Sequence, residues 1–299
     1  MNATTVEARR GLFSTPRLGV VWRGLFTFVR RKPLGAISAA VIVVLGALAL
    51  FAPFVTWNGP LDIDLLDKLK GPTLSHPFGT DDLGRDTYSR VVYGSQISLY
   101  VGFASVLVST VIGSALGLVT GYYGGKADLL AQRIVDVIMA FPPLILALAI
   151  VAILKPNTNN SVVVISVVFV PLSARVVRGS VLSLKENVYV EAARAMGCSN
   201  TRVLLRHILP NVVAPIIVVA SVLLGGAILF EASLSFLGAG TQIPTPSWGN
   251  MVSGTGRSNL ETAPWLAIFP ALFLSAAVFS FNLLGDAIRD ILDPRLKGA

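Results

Sequence analysis

Charge is scarce in this chain. Asp, Glu, Lys and Arg make up 13% of its 299 residues, roughly half of the ~25% found in ordinary globular proteins. Reactive side chains are scarcer still. One Cys and two His exclude an internal disulfide and weigh against a thiol-based metal or redox cluster. A phosphate-binding loop is also missing. The nearest approach, GYYGGKA from Gly121 to Ala127, has the wrong spacing and lacks the Ser or Thr after Gly-Lys that would hold magnesium. No catalytic constellation stands out, so the chain reads as neither an ATPase nor another enzyme, and it offers no metal or cofactor site of its own.

Uninterrupted apolar runs stand where the charge is missing. Six candidate spans are legible, at Leu34–Thr56, Ile97–Tyr122, Ile134–Leu154, Ser161–Ser180, Val212–Ser235 and Pro264–Gly285. At ~1.5 Å of helix per residue, each crosses the ~30 Å hydrocarbon core of a bilayer. Such runs predict an all-α membrane protein with six transmembrane helices. The implied layout is an N-terminal tail over 1–33, a first span over 34–56, a loop over 57–96, a five-helix core over 97–285 and a C-terminal tail over 286–299. A basic head before an apolar run containing Ala47-Leu48-Ala49 superficially suggests a cleaved signal. The head is too long and the run exceeds ~15 residues, so an uncleaved span is expected.

The position of the basic residues sets the orientation. Eighteen of the 24 Lys and Arg residues fall in the two tails, at the foot of the third span and in the stretch Arg175–Arg206. By the positive-inside rule those segments, including both termini, face the cytoplasm. The net charge of +8 is thus a topology signal, not a nucleic-acid footprint, and lipid is the surrounding partner.

One polar stretch interrupts the apolar pattern. Glu191 to Asn211 reads EAARAMGCSNTRVLLRHILPN, and with the residues before it forms a segment over 183–210. Leu184, Val188 and Ala192 repeat at i, i+4, i+8, with charges on the other faces, so a short amphipathic helix is expected. Gly197 suits a helix end that needs positive φ. Ser199, Asn200 or Thr201 can cap a second helix, which sets Leu204 against Ile208 and ends at Pro210. The physical reading is a cytoplasmic hairpin with a small, smooth face at Ala192–Ala193. It is either a solvated loop or a surface shaped for docking.

Other features are local. Asp81, Asp82, Arg85 and Asp86 crowd the first external loop between Gly79 and Gly84, which predicts a turn followed by a short helix at the membrane surface; their spacing does not fit a calcium loop. Trp248, in the Pro-rich external stretch Thr241–Gly249, is placed like an interfacial anchor. Gly113, Gly117, Gly121 and Gly125 recur every four residues and predict a flat strip for close helix packing, against a helix of this chain or of a partner. Phe141-Pro142-Pro143, Pro171, Pro215 and Pro270 bend the spans. Arg133 and Asp136 are spaced to pair at i, i+3. Glu231, ~28 Å along the fifth span, reads as an interfacial carboxylate. With no midspan charge pair, a proton- or sodium-coupled secondary carrier is disfavoured, and a non-transporting anchor is the remaining alternative class.

The pattern Glu-Ala-Ala, three residues, Gly, nine residues and a terminal Leu-Pro resembles the EAA motif of ATP-binding-cassette importer permeases. Glu191, Ala192, Ala193, Gly197, Leu209 and Pro210 fall on it, while His207 departs from the expected Ile. HPFGTDDLGRDTYSRVVYGSQISLYVG from His76, EASLSFLGAGTQIPTPSWGN from Glu231 and NLLGDAIRDILDPRL from Asn282 narrow the resemblance. They are similar to the C-type permease subunit of dipeptide and oligopeptide importers. The resemblance implies a type I importer permease fold in a bacterial or archaeal cell (inner) membrane, with the Glu191 segment as a coupling helix. It further implies a second homologous permease subunit, two ATP-binding subunits carrying ATP and magnesium, and an extracytoplasmic substrate-binding protein. That protein would touch the external surfaces around Asp81, Asp82, Arg85, Asp86 and Trp248. The cargo implied is a short peptide, with nickel complexes or glutathione as alternatives.

Overall fold

The computed structural model describes Arg30 and residues 32–292, and it is helical almost throughout. The N-terminal tail before Arg30 and the basic residues Arg295 and Lys297 lie outside the described residues. Eight helices carry the architecture: α1 (Pro33–Leu50), α2 (Thr87–Tyr123), α3 (Gly125–Ala140), α4 (Pro143–Leu154), α5 (Thr158–Leu184), α6 (Val188–Ala195), α7 (Leu209–Phe236) and α8 (Trp265–Leu292). Of these, α1, α2, α5, the continuous run Asn200–Phe236 that contains α7, and α8 are long and apolar enough to cross a bilayer.

The second span is longer than its apolar run. Asp86 caps α2, its Oδ2 accepting from the Ser89 backbone N–H at 2.8 Å, so the helix starts ten residues before Ile97. Its 37 residues extend ~55 Å at ~1.5 Å each, well beyond the hydrocarbon. The expected separate surface helix after Asp82 does not form, because the same residues nucleate the long helix directly. Gly124 and Gly125, both at φ +65°, end it.

The third span is not one helix. α3 and α4 meet at 96°. Phe141 precedes a proline and is driven to extended backbone (φ −86°, ψ 141°). Pro142 and Pro143 then withhold two consecutive N–H donors, so a bend becomes a break. α3 is tied to α5 by Arg178, whose Nε and Nη2 meet the two Asp128 oxygens at 2.7 Å each, and by Arg175 to Asp136 at 2.8 Å. Asp136 therefore pairs across helices with Arg175 and not with Arg133 one turn away, because its side of α3 faces α5.

The glycine strip packs inside the chain. A Cβ added at Gly113 would lie 2.6 Å from Ser173 Cβ; one at Gly117 would lie 2.5 Å from the Ala174 carbonyl oxygen; one at Gly121 would lie 2.9 Å from Val181 Cβ. All three neighbours belong to α5, so α2 and α5 approach backbone to backbone. Ser166 Oγ on α5 donates to the Ser105 carbonyl of α2 at 3.2 Å, an interhelical bond of the kind apolar surroundings favour. Gly125 is not part of the strip, having nothing within 4 Å and serving the helix end.

Apolar side chains fill the bundle in three clusters. Val101, Ile165, Leu223 and Ala227 belong to one, among α2, α4, α5 and α7; Val181, Val190, Ile208 and Val212 to a second, at the end carrying α6; and Val91, Ile228, Trp248 and Phe281 to a third, among α1, α2, α7 and α8. Lys32 pairs with Asp290 at 2.5 Å, which brings the start of α1 and the end of α8 together.

Candidate functional site

At one end of the bundle, α6 and the turn after it form a rigid hairpin. Gly197 sits at φ +78°, its N–H donating to the Arg194 carbonyl at 2.9 Å, while the Cys198 N–H donates to the Ala193 carbonyl at 3.1 Å. These two bonds are the paired closure of a helix that ends on a left-handed residue. Ser199 caps the next turn, accepting from the Arg202 N–H at 3.4 Å.

The buried face of α6 is Val190 and Ala193, set against Val203, Ile208 and Val212. The expected stripe of Leu184, Val188 and Ala192 does not hold. The helix breaks between Leu184 and Val188, so Leu184 turns to the core while Val188, 79% exposed, turns away. The two alanines of the motif thus point in opposite directions: Ala193 anchors the hairpin and Ala192 joins Glu191, Val188 and Met196 on an uncovered outer face. Glu191 lies in the first turn of α6, where its charge complements the helix dipole.

The hairpin is joined to two long helices. Tyr122, near the end of α2, donates its hydroxyl to Asn200 Oδ1 at 2.9 Å, and Arg194 lies over its ring at 5.2 Å. Beyond the turn the chain does not stop at Pro210. Asn200–Val203 runs through a π turn at Leu204–Ile208 into α7. Pro210 can donate no backbone bond there, and Asn211 Nδ2 donates to the neighbouring His207 carbonyl at 2.7 Å. Leu209 is half-buried and Pro210 exposed. The helical run Asn200–Phe236 is thus continuous from the turn after α6 to the end of α7.

At the other end, the loop before α2 folds into a compact polar cap. Asp81 accepts from the Arg85 N–H at 3.0 Å and from Arg85 Nε at 2.7 Å, and Arg90 reaches it at 3.6 Å. Asp86 faces His76 Nδ1 at 3.0 Å, and His76 Nε2 faces Asp67 at 3.3 Å. A hydrogen bond from Lys70 holds the Asp67 carboxyl below the ordinary range. Asp81, Arg85 and Asp86 are buried by these contacts, which build the cap; Asp82 alone of the four is partly exposed.

Two further expectations are corrected here. Trp248 is fully buried, not interfacial, and its Nε1 donates to the Val91 carbonyl at 3.1 Å. Its side chain is unavailable to a docking protein. Glu231 is likewise fully buried, accepting from Ser98 Oγ at 3.0 Å and from Ser235 Oγ at 2.7 Å. Counting residues along α7 gave its height but not its azimuth, which faces α2 and not lipid. The i, i+4 spacing of Glu231 and Ser235 was the one local signal; Ser98 is 133 residues away. Beside this polar node an apolar cleft of about 380 Å³ lies among Leu144, Leu229, Ala232, Phe236, Gly249 and Leu274.

Comparison with known proteins agrees with this architecture. A family model described as "Binding-protein-dependent transport system inner membrane component" matches residues 113–298. The chain is 44% identical over 276 residues to the dipeptide transport system permease protein DppC of Alkalihalophilus pseudofirmus, covering 92% of this chain and 90% of that one. It is 43% identical over 279 residues to the glutathione transport system permease protein GsiD of Pectobacterium atrosepticum, covering 92% of each. A solved inward-facing structure of the MetNI methionine ABC transporter superposes with a TM-score of 0.57 at 20% identity, over 68% of this chain and 96% of that chain, and shows the shared fold. The chain therefore belongs to the family of inner membrane components of binding-protein-dependent transport systems, as a permease of ATP-binding-cassette importers with the type I fold.

Proposed function

We propose that this permease is one of two homologous subunits forming the pathway of an ATP-driven importer of short peptides in a bacterial or archaeal cell (inner) membrane. The observation that carries the mechanism is the hairpin: Val188, Glu191, Ala192 and Met196 lie uncovered on a unit that Val190 and Ala193 fasten to the bundle. Two ATP-binding subunits, holding ATP and magnesium, would take that outer face. Their closure would displace α6, and the continuous run Asn200–Phe236 would carry the displacement across the membrane. Binding of nucleotide shifts the population from inward- to outward-facing states only by its differential affinity for them.

In this arrangement the hairpin and both termini are cytoplasmic, in keeping with the basic bias and with the Lys32–Asp290 pair that brings the two ends together. The polar cap faces outward, where a substrate-binding protein delivers cargo, and Asp82 is its accessible charge. Peptide cargo is supported by the DppC relative. The GsiD relative supports glutathione as a second reading, itself a small peptide-like molecule. The deciding experiment reconstitutes the complete complex in liposomes with its binding protein. ATP-dependent uptake of labelled di- and oligopeptides is expected; uptake of glutathione alone would move the assignment to the second reading, and flux of chelated nickel without either would overturn both.

A further inference from the structure

Glu231 is a carboxylate fully buried in an apolar span, a placement that is costly unless its acceptors are satisfied and its presence is used. Its two oxygens are met by Ser98 and Ser235, with Ser247 of the following segment also turned to the carboxyl group, and Ser98 and Ser235 each have a second role. Ser98 Oγ, donating to Glu231 Oε2, accepts from the Trp248 backbone N–H at 3.3 Å. Ser235 Oγ, donating to Glu231 Oε1, accepts from the Thr241 backbone N–H at 3.1 Å. Both relays run in one direction, from backbone N–H to hydroxyl to carboxylate. A carboxylate can accept at both oxygens, whereas an amide offers one acceptor and one donor. Glu231 therefore fastens both ends of the irregular segment between α7 and the helical turn Trp248–Met251.

Leu237 at the start of that segment and the helical turn at its end wall the apolar cleft. Gly249 in the turn and Val252 just after it line the cleft together with Leu144 and Leu274, and Gly249 is pressed so closely onto α7 that a Cβ there would lie 2.5 Å from the Ala232 carbonyl oxygen. Irregular backbone that is buried this way persists only where its polar groups are satisfied inside protein. We infer that Glu231 is a positioning residue for transport: through Ser98 and Ser235 it fixes the segment 237–251 against α7 and so sets the wall of the cleft that must change during the cycle. The inference rests on the importer reading for its transport consequence, but not for the anchoring itself.

The test uses the complete complex on a Cys198→Ser background, comparing Glu231, Glu231→Gln, Glu231→Ala and Ser98→Ala. Two quantities are read: the rate at which a maleimide labels Val252→Cys in membranes, and the Vmax and KM of uptake. Loss of a hydrogen-bonded buried carboxylate should raise the labelling rate about ten- to a hundredfold in Glu231→Ala, with a smaller rise in Glu231→Gln and in Ser98→Ala. Vmax should fall in the same order while KM stays within about twofold, since the cleft wall and not the delivery step is perturbed. Glu231→Gln and Ser98→Ala in one chain should raise labelling by less than the product of the single changes, because Ser98 donates directly to Glu231 and the two share that bond. Should Glu231→Ala fail to accumulate, the two milder variants carry the test. Unchanged labelling in variants present at normal levels overturns the anchoring; raised labelling with undiminished Vmax overturns the positioning role. A wild-type complex that transports nothing refutes the importer reading, while the labelling still decides the anchoring.

Discussion

Gly117→Ala is the sharpest test of how α2 and α5 are held together. The new Cβ would lie 2.5 Å from the Ala174 carbonyl oxygen, 2.9 Å from Arg178 N and 3.0 Å from Val177 Cβ. Two of these are backbone atoms of α5, which no rotamer change can move aside. The helices must part by roughly 0.5–1 Å, a gap that forfeits about a quarter to a half of the dispersion well for each flanking contact. In a bilayer close packing is the main force joining helices, so overpacking should cost about 1–3 kcal/mol. Alanine also gains up to ~1 kcal/mol over glycine in any helix interior. Gly46→Ala in α1 supplies that gain alone, since nothing lies within 4 Å of its added Cβ. The difference between the two variants isolates the clash at about 1–3 kcal/mol. Equilibrium unfolding of the chain in mixed micelles, titrated with sodium dodecyl sulfate and followed by tryptophan fluorescence, measures it. Gly46→Ala should unfold at or after the unmodified chain, and Gly117→Ala clearly before Gly46→Ala. Equal midpoints for the two variants would refute the close approach.

Lys126→Cys, exposed at the start of α3, on a Cys198→Ser background should react with a membrane-impermeant maleimide only after lysis, and Asp82→Cys in intact cells; the reverse pattern would invert the proposed orientation. Glu191→Lys should abolish uptake while the chain accumulates normally, because it reverses charge on the uncovered face of α6; wild-type uptake at equal protein levels would remove that face from the coupling. Gly197→Val should do the same through a strained left-handed turn, which a β-branched residue does not tolerate, while Gly197→Asn, a residue that tolerates this conformation, should retain more activity in the same uptake assay. Asp67, with its carboxyl held low by Lys70, should stabilise the cap fully above the unfolded value near ~3.9 and lose that contribution as pH falls through the lower folded value; limited proteolysis of residues 59–86 against pH, with Lys70→Ala as comparison, should show the variant losing protection at the higher pH.

Much of this protein was legible in one dimension. Long apolar runs marked, in order, the five helices of the described residues that are long and apolar enough to cross a bilayer, since only a helix satisfies its own backbone in lipid; the third expected span is the one the structure breaks. Gly197 and Ser199 announced the hairpin because turn and cap chemistry is decided by the residue itself and its nearest neighbours. Tertiary structure decided what depends on rotation about a helix axis or on residues far apart in sequence. Residue counting placed Glu231 at the right height, but its interior position comes from Ser98 on α2. Ala192 and Ala193 are adjacent in sequence and opposite in role because α6 packs through Val190 and Ala193. Trp248 carries both an apolar ring and a polar N–H, and the available Val91 carbonyl, not the ring's amphipathic character, determined where it lies. Pro142 and Pro143 foretold a disruption, yet its angle of 96° accompanies the ion pairs that hold α3 against α5. Local chemistry fixes the elements; which face each one buries is fixed by packing and hydrogen bonds that only the folded chain brings together.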